Sequence, residues 1–498
     1  VTTTSAPDPG VPTEAMKGGT WIEDWRPEDP AFWGAGGATV ARRNLLWSIF
    51  SEHLGFSVWL LWSVTAAMLV QVGFAFTTSQ LFVLVAVPNL VGALVRLPYT
   101  FAVPRFGGRN WTVVSASLLL VPTLLFAHFV QRPGTPYWVF VLVAATAGLG
   151  GGNFASSMSN INFFYPTARK GAALGLNAAG GNLGVAVIQL FLPVVVGGAG
   201  LFGLVRAAEG GPALQRAGHL YAALALVGAL CAWLFMNNLT MARSRPQLGV
   251  LRHRHTWVVS FLYIGTFGSF IGYSAALPLL IKLNFWVPTT DGSGAGIDFA
   301  HYAFLGALVG SVARPYGGWL ADKYGGARVT AASFVAMIAA TLAVLWSLSQ
   351  LTPNPVASAA IARENQEWFP WFLPFFLLVF VATGIGNGST YRMIPLIWRR
   401  RAVDRTASGT PERESALAGA TRESSAVIGI AGAVGAIGGF LVPMTFGAPW
   451  VADPAAAVRG AFVAFASFYG LCLAVTWFCF LRRGFLVDRV PSLAGAGI

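Results

Sequence analysis

The sequence predicts an all-α integral membrane protein of twelve transmembrane helices, folded as two pseudo-symmetric six-helix halves. Three observations carry that expectation. The 498 residues are 55% hydrophobic and only 10% charged, against about 25% charged residues in an ordinary soluble chain, and mean hydropathy is +0.63. Ten windows, among them 53–95, 110–131, 171–205 and 424–452, contain no Asp, Glu, Lys or Arg; each can cross a bilayer core, which takes about 20 apolar residues as helix. The third observation is an internal duplication, set out below. A secreted, fibrous or nucleic-acid-binding chain is excluded.

In order along the chain, residues 1–44 read as a polar, Pro-rich and acidic cytoplasmic tail, without the basic-then-apolar order of a signal peptide. An N-terminal six-helix half follows over 45–240, with spans near 46–69, 80–103, 112–131, 138–159, 172–196 and 219–240. Residues 241–256 are a cationic cytoplasmic linker. The C-terminal half, 257–481, has spans near 257–281, 301–321, 329–350, 369–396, 425–447 and 457–481, and 482–498 is a cytoplasmic tail. A hydrophilic loop, Arg399 to Glu423, separates spans ten and eleven.

The charges sort by side of the membrane. With the N-terminus inside and the spans alternating, 23 of the 32 Lys and Arg fall on inner segments, including Arg105 and Arg109, Arg169 and Lys170, Lys323 and Arg328, and Arg482 and Arg483. Six fall on outer loops (Arg132, Arg206, Arg216, Lys282, Arg363, Arg459) and three inside spans. This positive-inside bias explains the net charge of +13 as topology, not as a nucleic-acid partner, and it supports an even number of spans with both termini cytoplasmic.

The halves repeat each other. At an offset of 218 residues Gly92 falls on Gly310, Arg96 on Arg314, Phe106 on Tyr324, Gly107-Gly108 on Gly325-Gly326 and Thr112 on Thr330. Near an offset of 236 the run Gly148 to Gly152 matches Gly384 to Gly388. Span two therefore repeats as span eight and span four as span ten. Parallel six-span halves build the major facilitator fold, whose substrate site lies near mid-membrane at the repeat interface.

Arg96 and Arg314 carry the chemistry. A cation at the centre of a membrane helix costs about 2.5–3.5 kcal/mol on insertion scales and must face a partner or a polar cavity. Glu52 is the only Asp or Glu well inside a predicted span, and one carboxylate cannot neutralise two guanidiniums. The surplus positive charge calls for an anion, and the planar donor fork of Arg suits an oxoanion. Phe154, Tyr263 and Phe267 are candidate flat walls, although each would also serve as ordinary packing in a chain that is 13% aromatic.

Span five carries Gly171, Gly175, Gly180 and Gly184, and span eleven carries Gly432, Gly435, Gly438 and Gly439. Small residues at this spacing let helix backbones approach closely or slide. Packing does not account for Asn177 or Asn182, whose amides need a partner and can donate to an anion. A dinucleotide-binding loop is excluded, because no strand precedes these glycines. Glu52 and His53, two turns into span one, read either as a proton-coupling pair or as a cytoplasmic-side polar contact with Arg42, Arg43 or a neighbouring helix. Arg392 reads as snorkelling to the inner face. Three cysteines in apolar stretches give no disulfide framework, and the six histidines form no facing pairs suited to haem; no metal or other cofactor is expected.

On these residues the sequence resembles the nitrate/nitrite porters of the major facilitator superfamily, of NarK type. The resemblance runs from Asp24-Trp-Arg-Pro-Glu-Asp-Pro30 to the last span. Its specific parts are Asn153 to Met158, the two glycine signatures, Thr266 to Gly272 and the two arginines; Gly318 to Gly325 looks like the superfamily's loop motif, with Asp322 as a helix-end contact. The resemblance implies that Arg96 and Arg314 grip nitrate or nitrite, that Phe154 and Phe267 bracket it, and that Asn182 and Tyr263 add polar contacts. An empty site with two unpaired guanidiniums repels itself and is costly to close, so the expected activity is nitrate import in exchange for nitrite export, by a protein that works as a monomer and is no enzyme. The alternatives are proton-coupled nitrate symport and, more distantly, a non-transporting anion sensor. Ala, Gly and Arg richness suits a GC-rich bacterial source, hence a bacterial inner membrane.

Overall fold

The computed structural model describes residues 16–197, 211–240, 247–287, 295–353, 358–483, 493–494 and 498. The outer stretch with Arg206, the first half of the linker with Arg243 and Arg245, and most of both tails lie outside the described residues. Among the described residues twelve long helices follow the expected order: α1 (Pro30–Val72), α2 (Thr78–Phe106), α3 (Gly108–Phe129), α4 (Tyr137–Phe164), α5 (Thr167–Val195), α6 (Gln215–Phe235), α7 (Arg254–Phe285), α8 (Ala303–Tyr324), α9 (Gly326–Ser349), α10 (Phe369–Asp404), α11 (Pro411–Phe446) and α12 (Pro454–Leu481). Helices dominate because a bilayer offers backbone N–H and C=O groups no water, so each segment must satisfy its own. Eleven of the twelve are long and apolar enough to cross by that criterion alone. The other, α8, has the length at 22 residues but carries Arg314, Asp322 and Lys323 within it.

Three boundaries depart from expectation for local reasons. Helix α1 starts at Pro30, well before residue 46, because Asp29 accepts from the N–H groups of Ala31 and Phe32 and Pro30 occupies the first turn. Gly36, at φ +141°, then kinks the helix before its apolar part. The hydrophilic stretch Arg399 to Glu423 is largely helical: α10 runs on to Asp404, and α11 starts at Pro411 under a Thr410 cap. Charge placement explains both extensions. Arg399 to Arg401 sit at the negative end of α10, while Glu412 and Glu414 sit in the first turn of α11.

The duplication shows in the backbone. Gly107 and Gly325 end α2 and α8 at φ +89° and +91°, and their N–H groups bond to Val103 and Ala321, each at 2.9 Å. Only glycine adopts that left-handed conformation without strain. A methyl group at Gly92 would lie 2.5 Å from the Trp59 indole, and one at Gly310 would lie 2.6 Å from the Phe270 ring, so α2 and α8 meet α1 and α7 in the same way.

The segment before α1 is joined to the segment after α6. Trp21–Ile22 pairs in parallel with Asn238–Leu239, and Asn237 accepts from Arg43 Nη2 at 2.6 Å while its N–H donates to Asn44 Oδ1 at 2.7 Å. The end of α6 is thereby tied to the start of the apolar part of α1.

Candidate functional site

The two arginines are brought together at the interface of the halves, and the local backbone explains how each is held. Arg96 projects from α2 with no exposed surface. Its Nε donates to Gly151 O at 2.9 Å, within the 3₁₀ stretch Gly148–Gly152 that interrupts α4; that stretch is four glycines and a leucine, and a mid-helix 3₁₀ turn breaks the regular α ladder. Its Nη1 donates to Gly432 O on α11, across the interface, at 2.8 Å. Arg314 on α8 is 4% exposed, and its Nη2 donates to the Tyr263 hydroxyl at 3.2 Å.

Aromatic rings fill the space between them. Phe154 lies 4.8 Å from the Arg96 guanidinium and 5.3 Å from that of Arg314, so both cations face one ring. Phe267 is 4.9 Å from Arg96 and stacks on Phe154 at 5.9 Å and 23°. A π-helical stretch, Ile264–Gly268, sits in α7 between Tyr263 and Ser269 and aligns Phe267 with Tyr263 at 5.1 Å and 14°. Ring faces carry negative quadrupole charge, which eases the burial of guanidinium without neutralising it. Among the described residues neither arginine is ion-paired, and Arg96 Nη2 and Arg314 Nη1 are buried without a hydrogen-bond partner.

Other expected residues are placed differently. Asn182 is fully buried and both of its amide atoms lack a partner, but it makes no hydrogen bond to either arginine. The amide of Asn177, open in the sequence to an anion, donates instead to Glu52 Oε2 at 2.7 Å, and Ser157 Oγ donates to the same oxygen. Glu52 therefore takes its hydrogen bonds from α4 and α5, and its Oε1 has none. His53 Nδ1 is 3.1 Å from Gly180 O. Arg392 is ion-paired with Asp322 at 2.5 Å, which gives Asp322 its helix-end contact.

The glycines divide. A methyl at Gly180, Gly181 or Gly184 would strike Ile49, Glu52 or the His53 carbonyl, so this part of α5 packs directly on α1. At Gly171 and Gly175 a methyl would meet nothing within 4 Å. On α11, a methyl at Gly435 would lie 2.5 Å from Tyr263 Cδ1, one at Gly438 2.7 Å from Gly268 Cα, and one at Gly439 2.9 Å from Ile271 Cγ2 on α7 and 3.2 Å from Asn89 on α2. Gly432 has room for a methyl at 3.5 Å from Arg96 Nη1; its contribution is a carbonyl.

Sequence reasoning missed Tyr391, Trp59 and Gly151, and it missed the carbonyl role of Gly432. Tyr391 lies 5.4 Å beneath Arg314 with its hydroxyl buried and unpartnered, Trp59 lies 5.0 Å from Arg96, and Gly151 and Gly432 act through carbonyls. Tyr391 sits next to Arg392, one turn past the repeated glycine run, and that placement was its only signal. The interface is shut on both sides of the rings: Asn162 Nδ2 on α4 donates to Ser425 Oγ on α11 at 2.7 Å, and Gln189 Nε2 on α5 donates to Ser274 O on α7 at 2.7 Å.

Two repeated six-helix halves that enclose a doubly cationic site at their interface define a membrane carrier. Residues 45–410 match the Major Facilitator Superfamily. The chain is 39% identical to the nitrate/nitrite transporter NarU of Escherichia coli (strain K12), covering 93% of this chain and 97% of that one. It is 36% identical to the probable nitrate/nitrite antiporter NarK2 of Thermus thermophilus, covering 94% and 98%. Among solved structures it is similar to a D-xylose-proton symporter, with TM-score 0.58 and 14% identity over 88% of this chain and 97% of that one. A bacterial homologue of the human lysosomal transporter Spinster gives 0.55 and 16%, over 88% and 96%; at these identities the likeness shows the fold alone. The chain belongs to the major facilitator superfamily, and within it to the nitrate/nitrite porters of NarK type.

Proposed function

We propose that the protein exchanges nitrate for nitrite across a bacterial inner membrane by alternating access, working as a monomer with both termini cytoplasmic. The observation that carries this reading is the pair of guanidiniums within 4.8 and 5.3 Å of one buried phenylalanine ring, each with an unpartnered donor atom. Two like charges held this close in a low-dielectric interior repel each other. Closing the empty site is therefore costly, and a monovalent oxoanion that bridges the two donors lowers that cost. Return of the carrier without cargo is slow, so entry of one anion is tied to exit of the other. The names of the relatives, nitrate/nitrite transporters and antiporters, support the choice of anion. In this reading Arg96 and Arg314 bind the oxygens, Phe154 and Phe267 bracket the plane of the ion, and Tyr263 orients Arg314. Asn182, buried with both amide atoms unpartnered, serves as a further donor, and the glycines of α5 and α11 let the halves rock. No covalent chemistry is performed.

One observation favours a second reading, proton-coupled symport: Glu52 is fully buried, half satisfied, and electrostatically coupled to both arginines. A single experiment separates the two. Isotopically labelled nitrate is offered to proteoliposomes that are empty or loaded with nitrite, at equal pH, and then to empty ones under an inward proton gradient. Exchange predicts uptake only with internal nitrite, with Glu52→Gln retaining it within a few-fold. Gradient-driven uptake into empty vesicles, abolished by Glu52→Gln, would replace exchange by symport.

A further inference from the structure

On the cytoplasmic face, remote from the central arginines, a cavity of about 470 Å³ opens between the end of the linker, the start of α7 and the end of α10. Four arginines line it: Arg252 and Arg254 on one side, Arg401 and Arg405 on the other. We propose that this cavity is a binding site for a phosphate-bearing anion.

Charge is the first argument. Among the described residues Asp404 is the one carboxylate in the lining, and it is already engaged by a fifth arginine, Arg400, at 2.9 Å. Glu423 acts on Arg401 and His253 electrostatically. Five guanidiniums thus face two carboxylates, and the surplus is concentrated in a recess where like charges gain by taking up an anion. Lining histidines do not relieve it: burial first, and then Arg401 and Arg405, hold His253 below the usual imidazole range and so toward its neutral form, with Glu423 opposing.

Preorganisation is the second argument. The Arg401 guanidinium lies against the His253 ring, with Nη2 at 3.1 and 3.3 Å from its two nitrogens, and 5.9 Å from the Trp398 ring. It is held in place by flat neighbours, yet its Nη1 is buried without a partner, as is His255 Nδ1. Planar guanidinium forks around one recess match phosphate oxygens, which accept paired hydrogen bonds from several directions. The opening is wider than nitrate or nitrite needs.

Location bears on the source. Arg254 is the first residue of a membrane-spanning helix, so the cavity lies at headgroup depth. Beside it, Leu248, Leu251 and Trp257 are 55, 39 and 51% exposed, and Trp257 Nε1 donates to Leu251 O at 2.9 Å. Basic recesses rimmed by apolar and aromatic side chains at the inner leaflet suit the headgroup and first methylenes of an anionic phospholipid. A soluble phosphate ester would use the same arginines without the apolar rim. In either case the occupant ties the connection between the halves to α7 and α10, both of which belong to the C-terminal half.

The test uses the full-length protein in detergent. Thermal stability and native mass spectra are recorded with increasing phosphatidylglycerol, with phosphatidylcholine, and with inorganic phosphate, for the wild type, for Arg252→Ala/Arg405→Ala, and for a charge-matched control, Lys323→Ala/Arg328→Ala. The paired sites are exposed at the surface, so both variants fold. The site predicts a saturable rise in Tm of roughly 2–4 °C and one retained phosphatidylglycerol, both lost in Arg252→Ala/Arg405→Ala and kept in the control. The same pattern with inorganic phosphate alone supports the site and assigns a soluble ligand. No saturable response, or a response equally weakened in the control, overturns the proposal.

Discussion

Arg96 and Arg314 occupy the same position in the two repeats, yet they are held in different ways. Arg96 is anchored once within its own half, at Gly151 O, and once across the interface, at Gly432 O. Arg314 is anchored by Tyr263, which belongs to its own half. Rocking the halves apart must break the Arg96–Gly432 bond and can leave the Arg314–Tyr263 bond intact. In the proposed exchange cycle this difference assigns closure sensing to the N-terminal arginine and a fixed place in the cradle to the C-terminal one. The halves differ in a second respect: Glu52 is the only fully buried carboxylate among the described residues, and it lies in the N-terminal half.

The sharpest way to break this comparison is to remove the forks. Arg96→Lys and Arg314→Lys each keep the charge but lose the paired donors, and each is expected to cost about 2–5 kcal/mol of anion binding, a fall of ~30-fold or more in apparent affinity, read by nitrite-driven uptake of labelled nitrate. If the two variants differ, Arg96→Lys should also slow exchange at saturating anion, because it alone loses a bond to the opposite half.

Tyr263→Phe tests the cradle. Loss of one hydrogen bond to a charged group is worth about 1.5–3 kcal/mol, so KM for nitrate should rise roughly tenfold or more with little change in maximal rate. A change confined to the rate would mean that Tyr263 acts on the rocking step instead.

The glycines come next. Gly435→Ala and Gly438→Ala place a methyl 2.5 Å from Tyr263 and 2.7 Å from Gly268, and overpacking of that kind costs about 1–3 kcal/mol; stability and exchange should both fall. Gly171→Ala and Gly175→Ala meet open space and should be neutral or raise Tm, since alanine is favoured over glycine in a helix by about 1 kcal/mol. Equal damage from both sets would dissolve the distinction between packed and unpacked glycines.

The smallest effect is expected at the Asp322–Arg392 pair. Asp322→Asn breaks an ion pair to Arg392 whose side chains are 55 and 40% exposed, and exposed pairs contribute about 0–1 kcal/mol. Transport should change by less than about fivefold, and the change should shrink further as salt is raised.

Much of the fold was legible in the chain because a bilayer imposes one rule on every span. Charge-free windows, the inside bias of Arg and Lys, and the repeated Gly-x-Gly runs are direct consequences of that rule and of duplication. The stretch from Arg399 to Glu423 was misread as loop because hydropathy registers lipid contact and not helicity; caps and end charges let α10 and α11 continue into water. In the same way α8 is the least membrane-like of the helices in composition, since it spends its polarity on Arg314.

The candidate site was legible only in part. Arg96 and Arg314 were evident because an uncompensated cation in a span has few structural uses. Tyr391 and the carbonyls of Gly151 and Gly432 were not, because an aromatic residue in an aromatic-rich chain carries no distinguishing mark and a backbone carbonyl has none in sequence. Asn177 and Asn182 look alike in the sequence; only the packing of α5 against α1 and α4 assigns the first to Glu52 and leaves both amide atoms of the second unpartnered.

What the sequence alone determined is the number and order of the spans, the two-fold repeat and the surplus of buried positive charge, since each follows from residue type and spacing along the chain. What the tertiary structure decided is which groups meet: that both guanidiniums lie over the ring of Phe154, that one of them reaches across to the other half, and that arginines of the linker, α7 and α10 converge on a recess. Those facts depend on distances between helices far apart in the chain, and side-chain identity constrains such distances only after the helices have packed.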